Sequence, residues 1–264
     1  EEEAPMTTVM VEETKDITYS GIRVPTLLQN NPFFRAFQDI VSMYSLPSYG
    51  EIDPSPIVAI SFILFFGFMF GDIGHGLMIF LASSVLVKKG MMKRSFGQVM
   101  KYAAASSIIF GGLYGSIFGL ENVIPALWLS PMHDTNKLLI VAICMGVFMI
   151  SLGLVLNMIT QYRAKDFGRL LFDGQGMAGL MLYWTMAALA AIYMTGTKIP
   201  EVAADIMWAG IGVLMLLMIF RDVLARYLLH QKDEGESVVL NIFEIMHNLM
   251  SFVSNTASFV RLAA

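Results

Sequence analysis

Apolar positions along this chain come in long blocks. Residues 102–120, 138–160 and 177–197 contain no Asp, Glu, Lys or Arg, and residues 202–220 contain one, Asp205. A bilayer core takes about 20 apolar residues in helical form, so each block predicts a transmembrane span. Residues 239–264 predict a further, more polar span that carries Glu244, His247 and Arg261. Residues 56–87 are apolar apart from a few polar positions, with Asp72 and His75 near the middle. As a single helix they would reach about 48 Å, well past a core of about 30 Å. They form either one strongly tilted helix or two short helices broken near Gly71-Asp72-Ile73-Gly74-His75-Gly76.

The loops give the orientation. Lys88, Lys89, Lys93, Arg94 and Lys101 lie before the first long block. Arg163, Lys165 and Arg169 follow the second, and Arg221, Arg226 and Lys232 follow the fourth. Pairs of spans separate these groups, so they share one side. The alternate loops hold only Lys137 and Lys198. That asymmetry predicts a cytoplasmic location for the basic loops. A cytoplasmic N-terminus then requires 56–87 to cross twice, and the hairpin is the preferred reading.

Ahead of the spans, residues 1–30 are acidic, polar and predicted to be irregular. Residues 32–45 place Phe33, Phe34, Phe37, Ile40, Val41 and Tyr44 on one helical face, with Arg35, Gln38 and Asp39 elsewhere around it. The pattern predicts an amphipathic helix, either lying in the membrane interface or capping a soluble domain. Pro47, Pro54 and Pro56 turn the chain toward the membrane. The expected organisation is therefore an N-terminal region over 1–55 and a transmembrane domain over 56–264. The opening Glu1-Glu2-Glu3 and the close inside an apolar run read as the cut ends of a longer protein.

Composition narrows the possibilities further. Of the 264 residues 56% are hydrophobic and 14% charged, mean hydropathy is +0.65 and net charge is −4. An average soluble domain is about 25% charged, so a soluble enzyme fits poorly. An acidic balance offers no field for nucleic acid. The single cysteine, Cys144, excludes a disulfide framework and a cysteine-based zinc site. P-loop, GxSxG and HExxH motifs are absent from the sequence, so no catalytic site and no cofactor is expected.

The candidate chemistry lies on the last span. Steps of three and four from Glu244 meet His247, Ser251, Ser254, Ser258 and Arg261, all polar or ionisable and all on one helix face. Asn248 and Asn255 flank the same side. Serines and asparagines often only hold membrane helices together. Arginine at mid-span costs about 2.5–3.5 kcal/mol on insertion scales and cannot escape by deprotonating. It must face water, a carboxylate or a substrate. Glu244 and His247, ionisable rather than permanently charged, suit a proton path or, equally, an interfacial pair. The Gly71, Asp72, Gly74, His75, Gly76 cluster reads as a structural helix break, with Asp72 and His75 as partners for the freed backbone groups. One Asp and one His are too few for a metal site. Gly111, Gly115 and Gly119 suggest a smooth ridge for close helix packing.

Three segments carry a family resemblance. Asn31-Pro32-Phe33-Phe34 followed by Tyr49-Gly50-Glu51-Ile52-Asp53-Pro54-Ser55-Pro56 is similar to the lead into the first span of the V/A-type rotary ATPase stator subunit, called subunit a or subunit I. Phe70-Gly71-Asp72-Ile73-Gly74-His75-Gly76 resembles that family's FGDxGHG signature. Ser254-Asn255-Thr256-Ala257-Ser258-Phe259-Val260-Arg261-Leu262-Ala263-Ala264 resembles the segment around its essential arginine, which falls on Arg261. The resemblance implies an all-α polytopic transmembrane bundle, with about seven spans present of an eight-helix domain and a cytoplasmic N-terminus. It also implies a prokaryotic inner membrane, and as partners the rotor-ring proteolipids, the peripheral stalk and other subunits of the complex. In that reading Arg261 and the Glu244, His247, Ser251, Ser254, Ser258 stripe serve translocation of H⁺ or Na⁺. A rival reading, a secondary transporter gripping an anionic substrate with Arg261, calls for internal repeats and paired broken helices. Only one break is visible.

Overall fold

The structure is a computed structural model that describes residues 30–44, 52–120, 124–196, 200–229 and 238–262. The acidic segment 1–29, Pro47, Tyr49-Gly50-Glu51, Lys198, Lys232 and Ala263-Ala264 lie outside the described residues. Helices α1 (Pro32–Tyr44), α2 (Ser55–Met69), α3 (Ile73–Lys88), α4 (Arg94–Tyr114) and α5 (Thr135–Arg163) are followed by α6 (Phe167–Phe172), α7 (Met177–Thr195), α8 (Glu201–Ile219), α9 (Arg221–Leu229) and α10 (Val238–Val260). The fold is an all-α membrane bundle, without a β-strand among the described residues.

The 56–87 stretch is two helices running in opposite directions. Contacts along α4 establish this. Ala59 packs near Val99 and Tyr102 in one apolar cluster, and Gly67 faces Ser106 and Phe110, so α2 runs parallel to α4. Asp72 and Ile73 meet Gly111, Gly76 meets Ala104 and Ile108, and Val87 meets Gly97, so α3 runs antiparallel. The reversal occurs over Phe70–Asp72. The carbonyls freed there are satisfied from α4: the Ser107 hydroxyl donates to the Phe70 and Asp72 carbonyls, and the Tyr114 hydroxyl donates to the Phe68 carbonyl at 3.1 Å. Backbone polar groups at membrane depth need such partners because lipid supplies none.

Two expectations about α4 change. The helix begins at Arg94 and ends at Tyr114, because Gly115 adopts φ +72° and caps it in the left-handed conformation. Residues 115–120 are a turn rather than the end of a span. The glycine ridge therefore does not exist: Gly119 also has positive φ, and only Gly111 lies on the helix. Gly111 does allow close packing, since a Cβ there would stand 2.4 Å from the Ile73 backbone nitrogen.

The apolar face of α1 packs on the bundle. Phe37 is fully buried against Phe62 and Tyr102, with Ala36 and Val41 beside it. The second half of the chain builds around α10. Ile245 packs with Ala178, Leu182 and Met218, and Phe252 packs with Leu154 and Tyr183. Phe259 seats on Gly146 of α5 and against the Phe65 ring, and Leu262 joins the cluster of Phe68, Tyr114, Leu138 and Ala142. Two short helices, α6 and α9, occupy basic loops that carried no strong helical signal.

Candidate functional site

Helix α10 has two polar lines. The outer one is the expected stripe. His247, Ser254, Ser258 and Arg261 are exposed, and Ser251 is half-buried, accepting a bond from Asn255 Nδ2 at 3.1 Å. An open groove of about 640 Å³ follows His247, Met250, Ser251, Val253, Ser254 and Asn255. Met250 and Val253, 72% and 58% exposed, border the stripe. Arg261 follows the last residue of α10, its backbone nitrogen donating to the Ser258 carbonyl at 3.2 Å. No other described residue bonds its guanidinium.

The inner line faces the bundle, and the sequence reading placed one of its members on the wrong side. Asn248 is 5% exposed and pressed against Gly174, with its amide nitrogen lacking a described partner. It sits one residue, a 100° step, around from His247, which puts it beside Ile245 and Phe252 rather than on the stripe. Thr256 shares a hydrogen bond of 3.1 Å with the Tyr183 hydroxyl.

Glu244 belongs to both lines. It is half-buried and joins an ion cluster that sequence reading missed. At its centre is Arg221, 7% exposed at the start of α9. Its Nη1 donates to Asp173 Oδ1 at 2.8 Å and to Glu244 Oε2 at 3.1 Å. Nε donates to Asp222 Oδ1 at 3.3 Å, and Nη2 to Asn241 Oδ1 at 3.3 Å. Asn241 in turn donates to Asp222 Oδ2 and to the Ile219 carbonyl. Burial works against the charge on Arg221, and Asp173, Glu244 and Asp222 more than offset it, so its pKa is raised. A hydrophilic cleft of about 520 Å³ opens beside the cluster, lined by Asn157, Gln161, Arg169, Asp173, Gln175, Arg221, Leu240 and Glu244.

Local sequence explains how Asp173 arrives there. It ends α6 and begins the tight turn Asp173-Gly174-Gln175-Gly176 into α7. A Cβ at Gly179 would lie 1.7 Å from the Gly174 carbonyl oxygen, and one at Gly176 would lie 2.5 Å from the Arg169 carbonyl oxygen. Only glycines let the turn fold this tightly. The signal in the sequence was the aspartate inside a glycine-rich loop and an Arg-Asp pair at the end of a span. Nothing local joins positions 48 residues apart.

The Gly71–Gly76 motif forms a second polar centre. Asp72 is the N-cap of α3, accepting from the His75 backbone at 2.8 Å. It also accepts from the Ser116 hydroxyl at 3.0 Å and from the Phe118 and Gly119 backbones at 3.0 and 2.7 Å, with His75 Nδ1 at 3.1 Å. It fastens the α2–α3 turn to the turn after α4. Gly71 and Gly74 lie close to the rings of Tyr114 and Phe118, where a side chain would not fit without movement. Among the described residues no three His, Cys, Asp or Glu side chains group to hold a metal.

Thr135–Arg163, Phe167–Thr195 and Glu201–Ile219 are long and apolar enough to cross a membrane, and Ser55–Met69 and Ile73–Lys88 are shorter apolar helices. The chain is thus a helical membrane protein with an ionisable stripe on one outward helix face. Residues 2–118 match the sequence profile of the V-type ATPase 116kDa subunit family. The chain is 28% identical to the A-type ATP synthase subunit I of Pyrococcus horikoshii over 250 residues, covering 91% of this chain and 35% of that protein. It is 29% identical to the V-type ATP synthase subunit I 2 of Treponema pallidum over 167 residues, 54% of this chain and 37% of that one. It is 30% identical to the V-type proton ATPase 116 kDa subunit a 3 of Caenorhabditis elegans over 125 residues, 42% and 14% respectively. The chain is similar to this family over most of its length. It spans about a third of the length of the first two of these relatives.

Proposed function

We propose that this chain is the membrane-embedded stator portion of a rotary V/A-type ATPase in a prokaryotic cell membrane, with its N-terminal side cytoplasmic. In this reading α10 faces a ring of rotor proteolipids, each carrying a buried carboxylate, and the whole subunit also engages the peripheral stalk and other subunits. One observation carries the reading: Arg261 points outward, unbonded by any described residue, at the end of a polar stripe. Its depth supports a partner. Phe259 seats on Gly146, eight residues or about 12 Å inside the apolar run 138–160. A cation at that depth needs a hydrated or anionic neighbour.

The chemistry follows from charge. A ring carboxylate approaching Arg261 gives up its ion, because the fixed guanidinium favours the anion. The same charge blocks direct leakage between two aqueous half-channels that open on opposite sides. Each ion crossing 100 mV releases about 2.3 kcal/mol, and separate entry and exit routes turn that into rotation. His247, Ser251, Ser254 and Ser258 line the cytoplasmic route, with Glu244 at its mouth beside the hydrophilic cleft. ATP hydrolysis elsewhere in the complex drives the reverse flow.

The test is Arg261→Ala in the complete subunit of the assembled complex. ATP-driven ion uptake into reconstituted vesicles is expected to vanish while ATP hydrolysis survives. Undiminished coupled uptake would remove Arg261 from the mechanism.

A further inference from the structure

The stripe works only if α10 holds one depth and one rotation, and the apolar packing around it does not dictate either. Ile245 and Leu249 lie among Leu182, Met186, Met215 and Met218. Methionine and leucine surfaces adapt to more than one register, and lipid tails are as apolar as the packed face, so no burial gradient selects among registers. A guanidinium is different. It offers its donors in a rigid planar fork and rewards only matched acceptors.

We propose that Arg221 is the positioning residue for ion translocation: its fork locks the cytoplasmic end of α10 through Asn241 and Glu244, and so sets where Arg261 and the serines stand. The proposal rests on the stator reading and names a device that serves the same site. Asn241 and Glu244 lie one turn apart on α10, and Arg221 reaches both. The Nη1 that reaches Glu244 also donates to Asp173, at the α6–α7 turn, and Nε donates to Asp222, the next residue on α9. Two other elements, α10 and the α6–α7 turn, therefore meet on this one side chain of α9. Seventeen residues, about 25 Å of helix, separate Glu244 from Arg261. Sliding α10 by one residue would turn every stripe side chain by about 100° and break the Thr256–Tyr183 bond at the same time. Buried ion pairs contribute little net stability, and their best-attested use is to specify register.

The experiment compares Arg221→Ala, Arg221→Lys and Arg261→Ala in the complete subunit, purified within the assembled complex. The readout is ions translocated per ATP hydrolysed, normalised to assembled complex. Arg221→Ala is expected to lower that ratio at least fivefold while hydrolysis continues, and Arg221→Lys, which keeps the charge without the fork, to fall between it and the unmodified protein. A merely structural role lowers the amount of complex but leaves the ratio per complex unchanged, and that result overturns the proposal. Where Arg221→Ala yields no complex, Arg221→Lys decides: a lowered ratio upholds the proposal and an unchanged ratio overturns it. Retained coupling in Arg261→Ala would sink the stator reading itself. Loss there with full coupling in the Arg221 variants would sink the positioning role alone.

Discussion

Asp72 shows how much a single side chain does here. Its two oxygens serve four donors besides His75 Nδ1: the backbones of His75, Phe118 and Gly119 and the Ser116 hydroxyl. An unsatisfied buried donor costs about 1–3 kcal/mol, and loss of an N-cap about 0.5–2 kcal/mol. Asp72→Ala is therefore expected to destabilise the protein by on the order of 3 kcal/mol, and Asp72→Asn by less. Thermal unfolding of the detergent-solubilised protein checks this, and an unchanged midpoint in Asp72→Ala would contradict it. The capping role was legible, since aspartate ahead of Gly-His at a helix break calls for a backbone partner. The second half of its work was not, because Ser116, Phe118 and Gly119 are more than 40 residues away. Arg221 was hidden for the same reason. In sequence it counts as one more basic loop residue, and only its pairing with Asp173 and Glu244 makes it a buried centre.

Helix α10 is where periodicity and packing divide the labour. Steps of three and four gather Glu244 through Arg261 on one side. They say nothing about which flanking residues turn inward, and Asn248 lies on the buried face with Ile245 and Phe252. The exposure pattern gives a labelling prediction. With the exposed Cys144 replaced by serine, cysteine at Ser254 or Ser258 is expected to react readily with a hydrophilic thiol reagent in the solubilised chain. Cysteine at Asn248 should react at least tenfold more slowly. Equal rates at the three positions would contradict the geometry. A glycine of α5 shapes the seat of the same helix: Gly146 makes room for Phe259, where a Cβ would stand 2.5 Å from its ring.

At the scale of the whole molecule, the first half wraps α2 and α3 on α4, and the second half gathers α5, α7 and α8 around α10. Phe259 and Leu262 join the halves by reaching Phe65, Phe68 and Tyr114. The antiparallel pair α2–α3 and the alternating basic loops lead to one topology. In right-side-out vesicles carrying the complete subunit without Cys144, cysteine at Asn136 is expected to label from outside. Cysteine at Lys89 should label only after permeabilisation. The opposite pattern would invert the orientation and with it the assignment of Glu244 to the cytoplasmic mouth.

The sequence by itself determined the membrane class, the helical blocks and the ionisable face of the last helix. Those follow from local rules: about 20 apolar residues suffice to span a bilayer, charge in lipid demands a partner, and a helix repeats every 3.6 residues. Tertiary structure decided where α4 stops, which way Asn248 turns, and that Asp173, Arg221, Asn241 and Glu244 share one site. These depend on contacts between distant segments, and the free energy that selects them comes from close packing and from satisfying buried polar groups. Neither quantity is written in any single stretch of the chain.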